Sequence, residues 1–375
     1  DLPWAGPGVW PSEIVPADAF SHTTTDETPT FDGGLRAFWT AGTSHAQHIG
    51  QVDWNHYTSS SIVDNVSWSQ TRSSFETGQP SDYFSVRLLG SIQVPSEGAW
   101  TFGLGTEDAG QLLIDGEVVI DDGDVHSFRW RSGTVQLTEG AHSIEVRYLE
   151  RSWTAGAMLT WKGPGDAIES VVPRSALTPA EVAAGSSEAA GGVRAYWING
   201  ISHATSLGQV DWDRYDSTTL VDNISFLLTR GAFQAGGASD YFAVRLIGTL
   251  DVPVGGSWSF NLGSEDSAEL IIDGRSVIYD GSQHRYRWQD GTISLAEGAH
   301  EIEVRFLERS WTAGLHLTWQ GPGMTREEII PPGALAPRSL DAPPDDGTTG
   351  LRAYWTADVS HAENLGQVDW NAFTS

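Results

Sequence analysis

Asp82-Tyr-Phe-Ser-Val-Arg-Leu-Leu-Gly90 and Asp240-Tyr-Phe-Ala-Val-Arg-Leu-Ile-Gly248 are one strand written twice. Phe84, Val86 and Leu88 alternate with Ser85 and Arg87, the period of a half-buried β-strand. The likeness runs on: Asp82–Trp130 and Asp240–Trp288 align without a gap and share 27 of 49 residues. Inside the block, Asp115-Gly116 separates Leu112–Ile114 from Glu117–Ile120, and an Asp-Gly pair between β-formers predicts a tight hairpin. Trp100, Phe102 and Leu104 alternate in the same way, as do Ile144, Val146 and Tyr148 with Ser143, Glu145 and Arg147. Glu139-Gly140 marks the turn before His142–Glu150. No stretch carries the 3.6 period of a long amphipathic helix. The pattern predicts an all-β chain of tandem antiparallel β-sandwich domains.

Outward from that block, Gly34-Leu-Arg-Ala-Phe-Trp39, Gly192-Val-Arg-Ala-Tyr-Trp197 and Gly350-Leu-Arg-Ala-Tyr-Trp355 recur at intervals of 158 residues. A unit of that size can bury its own core. Trp161-Lys-Gly-Pro-Gly165 and Trp319-Gln-Gly-Pro-Gly323 close the two full units, and Trp4-Ala-Gly-Pro-Gly8 echoes them. The expected organisation is a closing tail at 1–33, a first domain at 34–191, a second at 192–349, and the start of a third repeat at 350–375. Residues 350–375 lack most of a core and are not expected to fold alone, so the natural protein is expected to continue in both directions. The linkers Ala176–Gly191 and Ala334–Thr349 contain Pro, Gly and Ser or Asp, and are expected to be extended or mobile.

The formal charge is −28, from 49 acidic and 21 basic residues, and Lys162 is the only lysine. Such a field repels nucleic acid and anionic membrane. The chain has no cysteine, which excludes disulfides and thiolate metal sites. No apolar run reaches the roughly 18 residues of a spanning helix, so no membrane insertion is expected.

The strand Asp82–Gly90, Val94-Pro-x-x-Gly-x-Trp-x-Phe102, Gly105-Thr-Glu-Asp108, Leu112-Leu-Ile-Asp-Gly116, Leu137-Thr-Glu-Gly-Ala-His142 and Leu159-Thr-Trp161 follow one another in an order that resembles the PA-fourteen domain. That is the β-sandwich module of the anthrax protective antigen, found also in yeast flocculins and epithelial adhesins, bacterial glycosidases and bacterial surface adhesins. The resemblance covers both units nearly end to end. It implies a lectin-like sandwich in an extracellular or cell-surface protein, with glycans as partners. In sugar-binding members two consecutive aspartates hold a calcium ion, which in turn holds two sugar hydroxyls with help from a second loop. The matching positions are Glu107-Asp108 and Glu265-Asp266, with Glu in place of the first Asp, and the second loop matches Glu150–Gly156 and Glu308–Gly314. The resemblance thus implies Ca2+ at Glu107, Asp108, Glu265 and Asp266, with Ser152, Trp153, Ser310 and Trp311 as ligand-binding residues.

Read from the residues, each feature has a plainer alternative. Adjacent hard carboxylates suit calcium, which takes six to eight oxygen ligands; alternatively Asp108 caps a turn and Glu107 faces water. Trp153 can stack on a sugar face; alternatively it plugs the end of the sandwich while Arg151 pairs with Glu150. Asp121-Asp-Gly-Asp124 with His126 lacks a calcium-loop register and reads as a turn. Ser44-His45, Ser202-His203 and Ser360-His361 suggest a nucleophile and base, but neighbours on a strand point to opposite faces, and structural histidines are the expectation. Trp39, Trp100 and Trp161 lie in apolar strand patterns and are expected in the core. Arg87, Arg147, Arg245 and Arg305 are expected to pair with carboxylates across strands.

No zincin helix, phosphate loop or triad signature is present, so no catalytic role is expected. Three functions stay open: a glycan-binding adhesin-type module, a structural repeat of an extracellular fibre with head-to-tail self-association between neighbouring repeats, and an accessory part of a secreted glycosidase. In the fibre reading, contacts between units would involve the closing tails, with segments such as Ile14-Val-Pro16 docked on a sandwich.

Overall fold

A computed structural model describes residues 33–181 and 191–340, with two short strands before them, β1 (Pro3–Trp4) and β2 (Glu13–Ile14). Trp4 faces Glu13 in that pair, the register in which Trp161 faces Ser170 and Trp319 faces Glu328. The expectations for the rest of 1–32, for 182–190 and for the third repeat lie outside the described residues.

The first sandwich begins with β3 (Leu35–Ala41), β4 (Ser59–Val63) and β5 (Ser67–Thr71). The long strands β6 (Phe84–Val94) and β7 (Gly98–Thr106) follow, then the hairpin β8 (Ala109–Ile114) and β9 (Glu117–Asp122). It closes with β10 (Arg129–Leu137), β11 (Gly140–Glu150), β12 (Ala155–Lys162), β13 (Ser170–Val171) and β14 (Leu177–Pro179). One sheet runs β4-β3-β6-β11-β8-β9 with β14 also on β6; the other runs β10-β7-β12-β13 with β5 on β12, and every pairing is antiparallel. The second sandwich, from β15 (Val193–Asn199) to β26 (Leu335–Pro337), repeats this order.

Period-two alternation explains the layers. Phe84, Val86, Leu88 and Ile92 of β6 meet Trp100, Phe102 and Leu104 of β7 in one closed core with Trp39 and Tyr148. Each such side chain contributes about 1.5–3 kcal/mol by leaving water. The outward arginines also pair as the alternation requires: Glu145 takes Arg87 at 2.8 Å and Arg147 at 2.6 Å, and Glu303 takes Arg245 and Arg305. At the hairpin tip Asp115 (φ 51°) and Gly116 (φ 80°) both have positive φ, the mirror-image turn that matches strand twist. Among the described residues no helix is long and apolar enough to cross a membrane.

Two expectations change. The stretch after Ala176 is not a free linker: Leu177 is buried and pairs with Ile92 as strand β14 before the chain leaves the sheet. Asp121 and Asp122 end strand β9 rather than forming a turn. Asp122 is buried between His126 (2.9 Å), Arg129 and Arg131 (3.2 Å), because a strand end facing the core must neutralise its carboxylate.

The described residues through Arg338 belong to one compact unit, in which the segment 43–53 of the first sandwich meets the β24 (Ala313–Gln320) face of the second. His48 Nε2 lies 2.8 Å from Glu327 Oε1, Gln51 Nε2 donates to the same oxygen (3.1 Å), and Asn223 donates to Asp53 (2.9 Å). Trp288 donates its indole N–H to the His45 carbonyl, and Arg326 reaches Asp124 at 2.5 Å and Asp121 at 3.8 Å. The closing tail takes part in the junction as expected, through Arg326 and Glu327 just before β25 (Glu328–Ile329), but the segments equivalent to Ile14-Val-Pro16, β13 and β25, pair with their own sandwich.

Candidate functional site

Strands β7 and β12 are neighbours in one sheet, and β8 and β11 are neighbours in the other. The two crossings between sheets, β7 to β8 and β11 to β12, must therefore lie side by side at one end of the sandwich. The first crossing is Glu107-Asp108 and the second is Arg151–Thr154. The topology brings together the acidic pair and the tryptophan loop, and the second sandwich does the same with Glu265-Asp266 and Arg309–Thr312.

Asp108 adopts φ 62°, and its N–H donates to the His126 carbonyl (2.8 Å). Its Oδ2 accepts the Arg151 N–H at 2.6 Å, locking one loop to the other. Asp266 repeats this with φ 65° and the Arg309 N–H at 2.9 Å. Glu107 does not simply face water: its Oε2 accepts the Phe128 N–H (2.9 Å) and the Gln70 side chain (2.6 Å). Glu265 accepts the Tyr286 N–H. Burial raises the Asp108 and Asp266 carboxyls above the usual range against the pull of these backbone donors.

The tryptophan does not plug the sandwich. Trp153 is 73% exposed and Trp311 75%, at φ 84° and 89°. The Trp153 N–H donates to Asp82 Oδ1 (2.8 Å) and the Trp311 N–H to Asp240 Oδ1 (2.9 Å), so the opening residue of each block pins the loop. Arg72 lies over the Trp153 ring at 5.6 Å and Arg230 over Trp311 at 5.8 Å. A cleft of about 740 Å³ opens beside Trp311, lined by Arg230, Glu265, Asp266, Ser310 and Thr312. That volume suits a small ligand. The Ser152 N–H also eases the Asp108 charge, so Ser152 serves the acidic pair through its backbone.

Behind the pair stands Glu150, the carboxyl expected to pair with Arg151 and found buried instead. Glu150 and Glu308 are both 0% exposed, and Glu150 takes a tyrosine hydroxyl in place of the expected Arg151 ion pair. The Tyr148 hydroxyl donates to Glu150 Oε2 at 2.6 Å, while Oε1 has no partner among the described residues. Burial, with the charges of Asp108, Asp82 and Glu107, pushes Glu150 up to about 8. In the second sandwich Phe306 replaces the tyrosine, neither Glu308 oxygen finds a well-placed donor among the described residues, and burial with Asp266, Glu265 and Asp240 raises it to about 9. The signal was in the chain: Asp82/Asp240, Arg72/Arg230 and Glu150/Glu308 all recur at 158 residues beside the loops.

The donor set is crowded hard oxygen, the ligand type that calcium takes, with Arg230, His284 and Arg285 also lining the cleft of the second sandwich. Among the described residues no three His, Cys, Asp or Glu side chains form a metal-holding group, so most of the six to eight ligands would have to come from backbone, water or ligand. Ser44-His45 makes no nucleophile–base pair either; His45 Nε2 bonds the Gln51 carbonyl (3.0 Å) and the ring packs on His316.

Anti-sigma-I factor RsgI3 of Acetivibrio thermocellus is 24% identical over 254 residues, which span 67% of this chain and 37% of that protein. An anti-sigma factor domain-containing protein from Clostridium clariflavum has a structure with TM-score 0.39 and 21% identity, covering 82% of this chain and 100% of its own. A PA14 sugar-binding domain from an RTX adhesin gives TM-score 0.36 and 15% identity, over 40% of this chain and 99% of its own. The family model of the PA14 domain matches residues 34–175 and 215–332, more than half of the chain, and the protein belongs to that family.

Proposed function

We propose that each sandwich is a non-catalytic carbohydrate-binding module of an extracellular or cell-surface protein, reading sugar at the crossing end with calcium as an aid. The observation that carries this is the tryptophan: a large apolar ring held three-quarters exposed, in a backbone conformation that costs a non-glycine residue about 1–3 kcal/mol. That strain, held in place by the Asp82 and Asp240 anchors, supports a ring kept outward to face a ligand. The indole would stack on the apolar face of a pyranose, with Arg230, Ser310 and Thr312 in reach of its hydroxyls. Glu107 and Asp108, or Glu265 and Asp266, would hold the ion, which supplies positive charge for hydroxyl oxygens. The match to an anti-sigma-I factor supports a setting in an anti-sigma-factor-type protein as well as in an adhesin.

A glycan-array screen with calcium and with chelator tests this. Retention of a defined sugar class that disappears in Trp153→Ala plus Trp311→Ala supports the reading. An array blank in both conditions, or binding indifferent to the double substitution, overturns it. Calcium alone is tested by melting: saturation at 100 times Kd adds about 2.7 kcal/mol, and identical melts with ion and chelator remove calcium from the proposal.

A further inference from the structure

The junction between the sandwiches uses two different surfaces, and each sandwich carries both. The first sandwich supplies its 43–53 segment, and among the described residues its own β12 face has no neighbour on it. The second supplies its β24 face, and among the described residues its own segment, 201–211, has no neighbouring sandwich on it. Burial tracks this. His45, Gly50 and Gln51 are buried, while their counterparts His203, Gly208 and Gln209 are exposed. His316 is 0% exposed and Trp288 is half-buried, while the counterparts Met158 and Trp130 are half-buried and 47% exposed.

The uncovered surfaces keep the features that the contact needs. A Cβ on Gly50 would meet the Glu327 carbonyl at 1.8 Å, so the contact itself demands glycine there. Gly208 has no positive φ, and a Cβ on it would meet no described atom within 4 Å, yet the position is glycine again. Asp53 accepts from Asn223, and the uncovered halves carry Asp211 and Asn65. Glu327 takes Gln51, and the uncovered halves carry Glu169 and Gln209. Where the halves differ, they differ together. Arg326 meets Asp121 and Asp124 in the formed junction. The counterparts are Ile168, 79% exposed, and Tyr279, 63% exposed, with Ser282. Where the formed junction has an ion pair, the uncovered halves carry an apolar side chain on each side, Ile168 and Tyr279.

We propose that the uncovered 201–211 segment docks on the uncovered β12 face (Trp130, Met158, Ile168, Glu169) of a second copy of this chain, repeating the internal junction head to tail. The contact is heterologous, so it leaves one free half of each kind at every step and propagates as a ladder or closes as a ring. In it Ile168 meets Tyr279, the His203 carbonyl accepts from the Trp130 indole, and Gln209 donates to Glu169. This inference does not depend on the glycan reading.

The test is sedimentation of the full chain against concentration. The wild type should rise in mass above its 40.5 kDa protomer as it is concentrated. Gly208→Arg, made together with Gly366→Arg in the third copy of the same segment (359–369), blocks one half and Ile168→Asp the other; Gly208 and Ile168 are exposed, so folding should be untouched, as circular dichroism will check. Each variant alone should stay monomeric. Mixed, each chain retains one good half, and they should form a dimer that grows no further. A wild type that remains monomeric at millimolar concentration, a variant that associates as the wild type does, or a mixture that yields no dimer each overturns the proposal.

Discussion

The imidazole of His45 lies flat on that of His316, ring centroids 3.7 Å apart and planes 18° from parallel, at the junction of the two sandwiches. Burial holds His45 down to about 4, with the Arg151 charge adding to it; burial and the His45 charge hold His316 well below the histidine range. A group whose pKa is depressed on burial binds fewer protons in the packed state, so stability rises with pH where the exposed form would still be charged. The junction is therefore complete above about pH 6.5 and weakens as pH falls from there towards 4. In His316→Met, which places the residue the first sandwich carries at Met158, the melting temperature should lose part of that slope between pH 6.5 and 4. A slope equal to wild type in calorimetry would show that the stacked pair does not drive it.

Glu308 gives a slope of the opposite sign. Its folded pKa, about 9, stands above the ordinary 4.5, so the folded state holds a proton the unfolded state releases. Stability is full below about pH 4.5 and falls as pH rises through that window to about 9. Glu308→Gln keeps the shape without the charge. It should raise the melting temperature at pH 8 and flatten its dependence above pH 6.5, where the stacked His45 and His316 no longer titrate. Glu150, partly relieved by Tyr148, should show the same effect ending nearer pH 8.

Trp311→Gly separates stability from binding. Glycine accepts φ 89° without strain, and the exposed indole contributes little packing, so stability should hold or rise by about 1 kcal/mol. Sugar retention by the second sandwich should vanish. A marked fall in melting temperature would mean the ring supports the fold after all.

Gly50 and Gly208 offer a matched pair. Gly50→Ala drives a methyl into the Glu327 carbonyl and should cost about 1–3 kcal/mol, mostly by prising the sandwiches apart. Gly208→Ala at the same position of the second unit should be silent in dilute solution. Chemical denaturation read by tryptophan fluorescence distinguishes the two, and equal effects would show that the glycines serve the loops rather than the junction.

The fold was legible because its signals are local. Phe84, Val86 and Leu88 declare a strand through their spacing alone, and Asp115-Gly116 declares the hairpin through the φ values those residues accept. The outward arginines and the core tryptophans followed from the same alternation. Leu177 misled because a Pro- and Ser-containing stretch reads as a loop, and three residues of pairing on β6 leave too short a pattern to see.

The crossing end was legible only in part. Its two loops were named through the family resemblance, and their meeting depends on strand order in two sheets. The burial of Glu150, the outward turn of Trp153 and the anchoring by Asp82 arise from contacts between residues dozens of positions apart. The junction is more remote still, since His48 and Glu327 stand 279 residues apart. Along the chain, period and turn chemistry settle which segments are strands, because those are properties of neighbouring residues. Which carboxyl loses its water, which ring keeps it, and which face of one sandwich finds the other are decided only when the layers close, because burial is a property of distant chain brought together.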